Sequence, residues 1–208
     1  MAGSGPIDLV IASGNAGKVR EFAALLAELP LRVRPQPEGL EVEETGSTFA
    51  ENARLKAQTV AVASGCWALA DDSGLAVDAL DGAPGVFSAR YAAGDAERIA
   101  RLLAELAEAD ARRREQGLPP ERSARFSAAL AVADPSGTIR LEVEGHCPGV
   151  ILEAPRGSGG FGYDPVFLVP ELDLSFAEMD KATKARVGHR GRAFALLEPR
   201  LRELVGVG

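Results

Sequence analysis

Ala68-Leu69-Ala70-Asp71-Asp72-Ser73-Gly74-Leu75-Ala76-Val77-Asp78 joins an apolar run, Cys66 to Ala70, to two adjacent carboxylates, a hydroxyl and a glycine. A short apolar run bounded by turn residues predicts a buried strand, here Cys66–Ala70, ending in an Asp-Asp-Ser-Gly turn. Ligands of α/β proteins gather beyond strand ends. Two carboxylates in such a place are costly to desolvate without a positive partner. A solvated turn accounts for them. A hard cation does so as well, since Mg²⁺ is typically held by one or two carboxylates beside substrate phosphates. Neighbouring strand residues point to opposite faces. Asp71 and Asp72 therefore enter one site together only if the strand breaks there.

Upstream, Pro6 to Ala12 is apolar and predicts a central strand. It runs into Ser13-Gly14-Asn15-Ala16-Gly17-Lys18, then an amphipathic helix over Lys18–Glu28 with Val19, Phe22, Leu25 and Leu26 on one face. A glycine-rich turn between strand and helix is the outline of a phosphate cradle, with backbone N–H groups, a helix N-terminus and the Lys18 charge. A plain strand–helix turn fits equally well. The loop is not a Walker A motif, which needs Gly at Ala12 and Ser or Thr at Val19. Without that hydroxyl, any metal must be held elsewhere. Leu31–Arg34 predicts a second strand. Thr48 followed by Glu51 fits a capping box opening a helix to about Ser64, with Asn52 and Lys56 polar on one face. Glu43 and Glu44 precede that helix, where acidic residues also complement its dipole.

Downstream, Asp95 is expected to cap a helix reaching about Ala109, with Ile99, Leu102, Leu103 and Leu106 as its apolar stripe. Asp110–Arg122 reads as a linker, with Arg112-Arg113-Arg114 in a solvated loop. Arg125–Ala133 and Thr138–His146 predict a hairpin across Asp134-Pro135-Ser136-Gly137, one face of the second arm being wet. Gly157-Ser158-Gly159-Gly160-Phe161-Gly162-Tyr163-Asp164-Pro165 predicts a mobile loop that presents Phe161 to a flat ligand, or an ordinary glycine loop with an aromatic plug. Ala177–Val187 is predicted helical, with Lys181 and Lys184 on one side. It breaks at Gly188 before His189-Arg190 and a final helix containing Phe194, Leu197, Leu201 and Leu204.

The totals bound the class. The chain has 208 residues, 46% hydrophobic and 25% charged, which suits a globular protein of one large domain or of two lobes sharing a core. Lys+Arg 23 against Asp+Glu 30 gives a net charge of −7, which argues against nucleic acid as a partner. Cys66 and Cys147 form no CxxC pattern, so free thiols in a reducing compartment are expected. No apolar run matches a membrane span, and no membrane partner is expected. Met1–Gly5 lacks the basic region of a secretory signal, so the cytoplasm is the expected location.

Six stretches taken together resemble the non-canonical purine nucleoside triphosphate pyrophosphatases, the inosine/xanthosine triphosphate (ITPase-like) group. They are Ser13-Gly14-Asn15-Ala16-Gly17-Lys18 with Glu21; Glu43-Glu44-Thr45-Gly46 with Thr48-Phe49 and Glu51-Asn52-Ala53; Ala70 to Leu75; Pro84-Gly85-Val86 with Ser88-Ala89-Arg90-Tyr91; Gly160 to Pro165; and Lys184 with His189-Arg190. They occur in family order over nearly the whole chain. The chain departs from the pattern at Gly188, Ala185 and Tyr91-Ala92-Ala93-Gly94.

The resemblance implies an elongated two-lobed α/β fold, with a long central mixed sheet flanked by helices and one active-site cleft. It also implies a homodimer, Mg²⁺ dependence, and hydrolysis of ITP, dITP and XTP to monophosphate and pyrophosphate. It assigns Mg²⁺ to Glu44 and Asp72, and catalysis to Asp72 rather than Asp71. It assigns substrate binding to Ser13, Gly14, Asn15, Ala16, Gly17, Lys18, Ser73, Phe161, Gly162, Tyr163, Asp164, Lys184, His189 and Arg190. The rival readings are a septum-formation-inhibitor-type nucleotide pyrophosphatase and a nucleotide sensor that does not hydrolyse.

Overall fold

The computed structural model describes residues 6–206; Met1–Gly5, read above for a secretory signal, lie outside them. Strands β1 (Ile7–Ile11), β2 (Leu31–Pro35), β3 (Trp67–Val77), β4 (Ser123–Ala133), β5 (Ile139–Ile151), β6 (Phe167–Val169) and β7 (Leu174–Ser175) form a sheet in the order β2-β1-β3-β4-β5-β6-β7. β1 runs parallel to β2 and β3, while β5–β6 and β6–β7 are antiparallel, so the sheet is mixed as expected. The helices are α1 (Ala16–Leu25), α2 (Phe49–Ser64), α3 (Asp95–Glu115), α4 (Lys181–Val187) and α5 (His189–Leu204). No helix among the described residues is long and apolar enough to cross a membrane.

The chain divides into two compact units. One comprises residues up to Asp72, Ala128–Gly145 and residues from Ala193 onward; the other comprises Ser73–Ser127 and His146–Arg192. The first unit is organised by strand alternation. Leu9 and Ile11 of β1, Leu69 of β3 and Leu130 of β4 pack with Phe22 of α1 and with Phe194 and Leu197 of α5. The residues between them, Val10, Ala12, Ala68, Ala70, Ala129 and Ala131, pack with Ala53, Ala57, Val60 and Ala61 of α2. Alanines on both sides let α2 lie close to the strands. The larger apolar side chains carry the opposite layer, where full burial of a residue such as Phe22 contributes about 2–3 kcal/mol. Extending the alternation assigns Asp71 to the Leu69 face and Asp72 to the Ala68–Ala70 face.

α2 starts as its capping box requires. Thr48 Oγ1 accepts the Glu51 N–H at 3.2 Å and Glu51 Oε2 accepts the Thr48 N–H at 3.2 Å. The helix stops at Gly65, whose φ of 65° is left-handed. In the second unit, Leu102 and Leu106 of α3 pack with Leu75, Val77, Phe126, Phe167 and Phe176.

Four sequence expectations are corrected. No turn follows Ala70: β3 continues through Asp71-Asp72-Ser73-Gly74 to Val77. α3 runs to Glu115 rather than Ala109, because Arg112, Arg113 and Arg114 sit favourably in its last turn against the helix dipole. The supposed linker also contributes Asp110, buried and paired with Arg122 at 2.9 Å. Asp95 is not the cap of α3; Gly94 is, and Asp95 is the first helical residue. Finally, α4 begins only at Lys181, because Asp180 accepts the Thr183 N–H at 2.7 Å and so fixes the N-cap there.

Candidate active site

In the first unit, the uninterrupted β3 separates its two acids. Asp71 pairs with Lys18 Nζ at 2.7 Å. Asp72 accepts from Lys56 Nζ at 2.7 Å through Oδ1 and from Asn52 Nδ2 at 3.2 Å through Oδ2. Lys56 also reaches Glu44 Oε1 at 2.9 Å, so one ammonium joins the two carboxylates read as metal ligands. Asn52 and Lys56 are a turn apart on α2 and project to the same side. In the sequence these two show only as a polar i,i+4 pair on an alanine-rich helix.

Gly46 completes this corner. Its N–H donates to Asn52 Oδ1 at 2.8 Å. A Cβ on it would lie 2.6 Å from Glu51 Cβ and 2.7 Å from Asn52 Oδ1, so only glycine lets the chain after Glu44 approach α2 this closely. The backbone there and the Asn52 amide fix each other, and Asn52 in turn orients Asp72.

The electrostatics follow from burial. Desolvation pushes the Asp72 carboxyl above the usual aspartate range; Lys56 opposes that push and Glu44 adds to it. Burial works against the charge on Lys56, but Asp72 and Glu44 outweigh it and its pKa rises. Two carboxylates converging on one cation offer hard oxygen donors of the number Mg²⁺ usually takes from protein. Their oxygens are hard donors of the kind that ion takes, and here both carboxylates face Lys56.

The Ser13–Lys18 loop uses several of its own amides. Asn15 caps α1, its Oδ1 accepting the N–H groups of Gly17 at 2.8 Å and Lys18 at 3.2 Å, while Ser13 Oγ accepts the Asn15 N–H at 3.1 Å. Ser13 and Asn15 thus shape the loop locally. Gly14 and Ala16 are exposed, and a Cβ on Gly14 would meet nothing within 4 Å. Lys18 extends from the first turn of α1 to Asp71.

In the second unit lie the remaining predicted residues, among them Phe161, which is 52% exposed. Lys184 Nζ lies 5.4 Å and the Arg190 guanidinium 5.6 Å from the ring centroid. Lys184 is paired with Asp164 at 2.5 Å, and that carboxylate also accepts the Phe161 N–H at 2.8 Å. Arg190, buried at the start of α5, donates through Nη2 to Ser73 Oγ at 2.9 Å. Gly162 has φ of 61° and its N–H donates to Asp95 at 2.7 Å. Tyr163 is buried, burial pushing its phenol pKa upward, and its hydroxyl donates to the Ser88 carbonyl at 3.0 Å. His189 is buried and stacked on Phe126, with centroids 4.8 Å apart and planes at 12°. Its ring is part of an aromatic stack that also includes Phe176 at 6.1 Å.

Fold and site together define an α/β protein with the fittings of a nucleotide-processing enzyme: a lysine-bridged carboxylate pair beside a loop–helix cation, and an exposed ring flanked by two further cations. More specifically, the chain belongs to the Ham1 family, whose model matches residues 9–200. It is 61% identical over 197 residues to a protein of Synechococcus sp. (strain CC9311) named dITP/XTP pyrophosphatase, covering 95% of this chain and 91% of that one. A protein of the same name from Nostoc sp. (strain PCC 7120 / SAG 25.82 / UTEX 2576) is 55% identical over 193 residues, 93% of each chain. Among solved structures, a HAM1 protein from Coxiella burnetii is similar with a TM-score of 0.85 at 43% identity, covering 95% of this chain and 99% of that one. A Nucleoside-triphosphatase / dITP/XTP pyrophosphatase from Mycobacterium abscessus gives a TM-score of 0.72 at 38% identity, covering 93% and 100%.

Proposed function

We propose that this protein is a nucleoside triphosphate pyrophosphohydrolase that converts dITP, ITP and XTP to the monophosphate and pyrophosphate, acting as a single catalytic domain. Relatives at 50–61% identity carry the name dITP/XTP pyrophosphatase, which supports the substrate class. The observation that carries the chemistry is Lys56 Nζ within 2.9 Å of both Glu44 and Asp72. At this point the ammonium can offset charge on phosphate oxygens, and the acids beside it supply a base and hard donors for a metal.

Asp72 accepts a proton from a water as its oxygen attacks the α-phosphorus. The bond from that phosphorus to the α–β bridging oxygen breaks, and pyrophosphate leaves with the bonding pair. Lys18 and Lys56 offset charge on the phosphate oxygens, and Asn52 keeps Asp72 oriented. Glu44 and Asp72 would hold Mg²⁺, which when bound supplies a further positive charge to those oxygens. Phe161 stacks on the base, with Lys184 and Arg190 at its edge. Donors there suit a 6-oxo purine and oppose the amino donor of adenine. His189 stays within its aromatic stack and orders the start of α5, where Arg190 follows it. We place the enzyme in the cytoplasm as a homodimer that keeps the nucleotide pool free of deaminated purines.

The test is a product assay with XTP, ITP, dITP, GTP and ATP, with and without Mg²⁺. Pyrophosphate with monophosphate from the first three, dependent on the ion, is the expected result. Orthophosphate with diphosphate would move the attack to the γ-phosphorus, and no turnover with nucleotide still bound would make the protein a sensor.

A further inference from the structure

We propose that Asp95 is a positioning residue for the base platform: its carboxylate braces the Phe161 loop through the Gly162 N–H. The proposal rests on the reading of Phe161 as the surface that receives the base. Phe161 lies between Gly160 and Gly162, both left-handed, with φ of 75° and 61°. Such a segment belongs to no helix or strand ladder, so its amides depend on other acceptors. Two carboxylates provide them. Asp164 Oδ2 accepts the Phe161 N–H at 2.8 Å, and Asp95 Oδ2 accepts the next N–H along, that of Gly162, at 2.7 Å. The peptide planes on either side of the Phe161 Cα are therefore both tied, while the residue stays about half exposed.

The two ties differ in origin. Asp164 is part of the loop and is also committed to Lys184. Asp95 is sixty-odd positions earlier in the chain, at the first residue of α3, and is the loop's tie to a long helix. Its own direction is set by Arg98, which donates to Asp95 Oδ1 at 2.8 Å and, through Nε, to the Ala92 carbonyl at 3.2 Å. α3 is anchored by Leu102 and Leu106, both fully buried. The route is thus a buried helix face, a fixed arginine, a carboxylate and the Phe161 backbone. A platform already ordered before the base arrives spares the ordering cost that binding would otherwise meet. Asp95 touches neither reacting atoms nor base in this arrangement. Its loss is therefore felt in substrate affinity, with the chemical step little changed.

The experiment compares wild type, Asp95→Ala and Asp95→Asn by steady-state kinetics with XTP and by hydrogen exchange of the segment spanning residues 157–166. Asp95→Ala is expected to raise KM about fivefold, the worth of one charge-assisted hydrogen bond at a half-exposed site, with kcat within about twofold. Exchange at the segment is expected to quicken. Asp95→Asn keeps an oxygen acceptor for the Gly162 N–H and is expected to recover most of both effects. Where Asp95→Ala does not fold, Arg98→Met takes its place, loosening Asp95 without removing it and shifting KM and exchange in the same direction. A folded variant with unchanged exchange and unchanged KM overturns the proposal, as does a fall confined to kcat. Wild-type protein that turns over none of XTP, ITP and dITP would instead refute the proposed function, and the exchange comparison would still decide the brace.

Discussion

Lys18 Nζ and Asp71 Oδ2 are 2.7 Å apart, and the Asp71 side chain is only 2% exposed against 19% for Lys18. A cation expected to meet phosphate is thus seated on an acid that a phosphate cannot reach. Lys18→Met takes this cation from a buried carboxylate and is expected to cost about 2 kcal/mol, discounted for the solvent that still reaches Lys18. Adding Asp71→Asn removes that carboxylate charge, so the double variant should be less destabilised than the sum of the singles in urea unfolding. Activity should not recover with stability, because Lys18 is needed at the phosphates. Strict additivity would show that the pair carries no coupling.

Lys56 bridges Glu44 and Asp72 with only 11% of its side chain exposed. Lys56→Met leaves two acids facing each other without that ammonium. A loss of about 3 kcal/mol is expected, together with a turnover reduced by about a hundredfold or more. If the two acids form the metal site, Mg²⁺ should stabilise the variant more than it stabilises wild type, since a cation then relieves their repulsion. A thermal shift with Mg²⁺ that is equal in the two proteins would count against Glu44 and Asp72 as the ion's holders.

Asp72 gives activity and stability opposite pH slopes. Burial, only partly offset by Lys56, raises its folded pKa above the unfolded value, so below the unfolded value, about 4, its contribution to stability is fully present. That contribution is lost as pH rises through the folded pKa, because the native state holds the proton longer than the unfolded chain does. Activity needs the ionised form and climbs over the same window. Asp72→Asn should flatten this part of the stability profile and lower kcat by about a thousandfold with the fold intact. Near-normal turnover with Mg²⁺ present would remove Asp72 from the chemistry.

What the sequence concealed has a common physical cause. The apolar runs of β1 and of the first half of β3, the capping box at Thr48 and Glu51, and the wet face of β5 are local patterns, and the structure reproduces them. Asp71-Asp72-Ser73-Gly74 is locally a turn. It is a strand here because Lys18 and Lys56 approach it from α1 and α2. Those partners are remote in sequence, and they offset part of the desolvation cost that a turn would have avoided. The arginines closing α3 misled in the same way, since their benefit depends on a helix already being present. Asn52 and Lys56 were visible as a polar pair, but nothing local showed that Asp72 would lie opposite.

Arg190 tests the reading of the base. Its guanidinium is buried, donates to Ser73 Oγ at 2.9 Å, and lies 5.6 Å from the Phe161 centroid. A fixed fork of donors beside a stacking ring meets the 6-oxo acceptor of hypoxanthine or xanthine and confronts the 6-amino donor of adenine. Arg190→Ala should therefore lower kcat/KM for ITP and relax the ITP-to-ATP ratio by about tenfold or more. Arg190→Lys keeps the charge but loses the planar fork, so it should recover affinity for the anionic nucleotide more than it recovers the ratio. Competition assays holding ITP and ATP in one mixture read that ratio directly. If both variants kept the wild-type ratio, discrimination would have to arise from groups other than this arginine, and its contact with Ser73 would be structural.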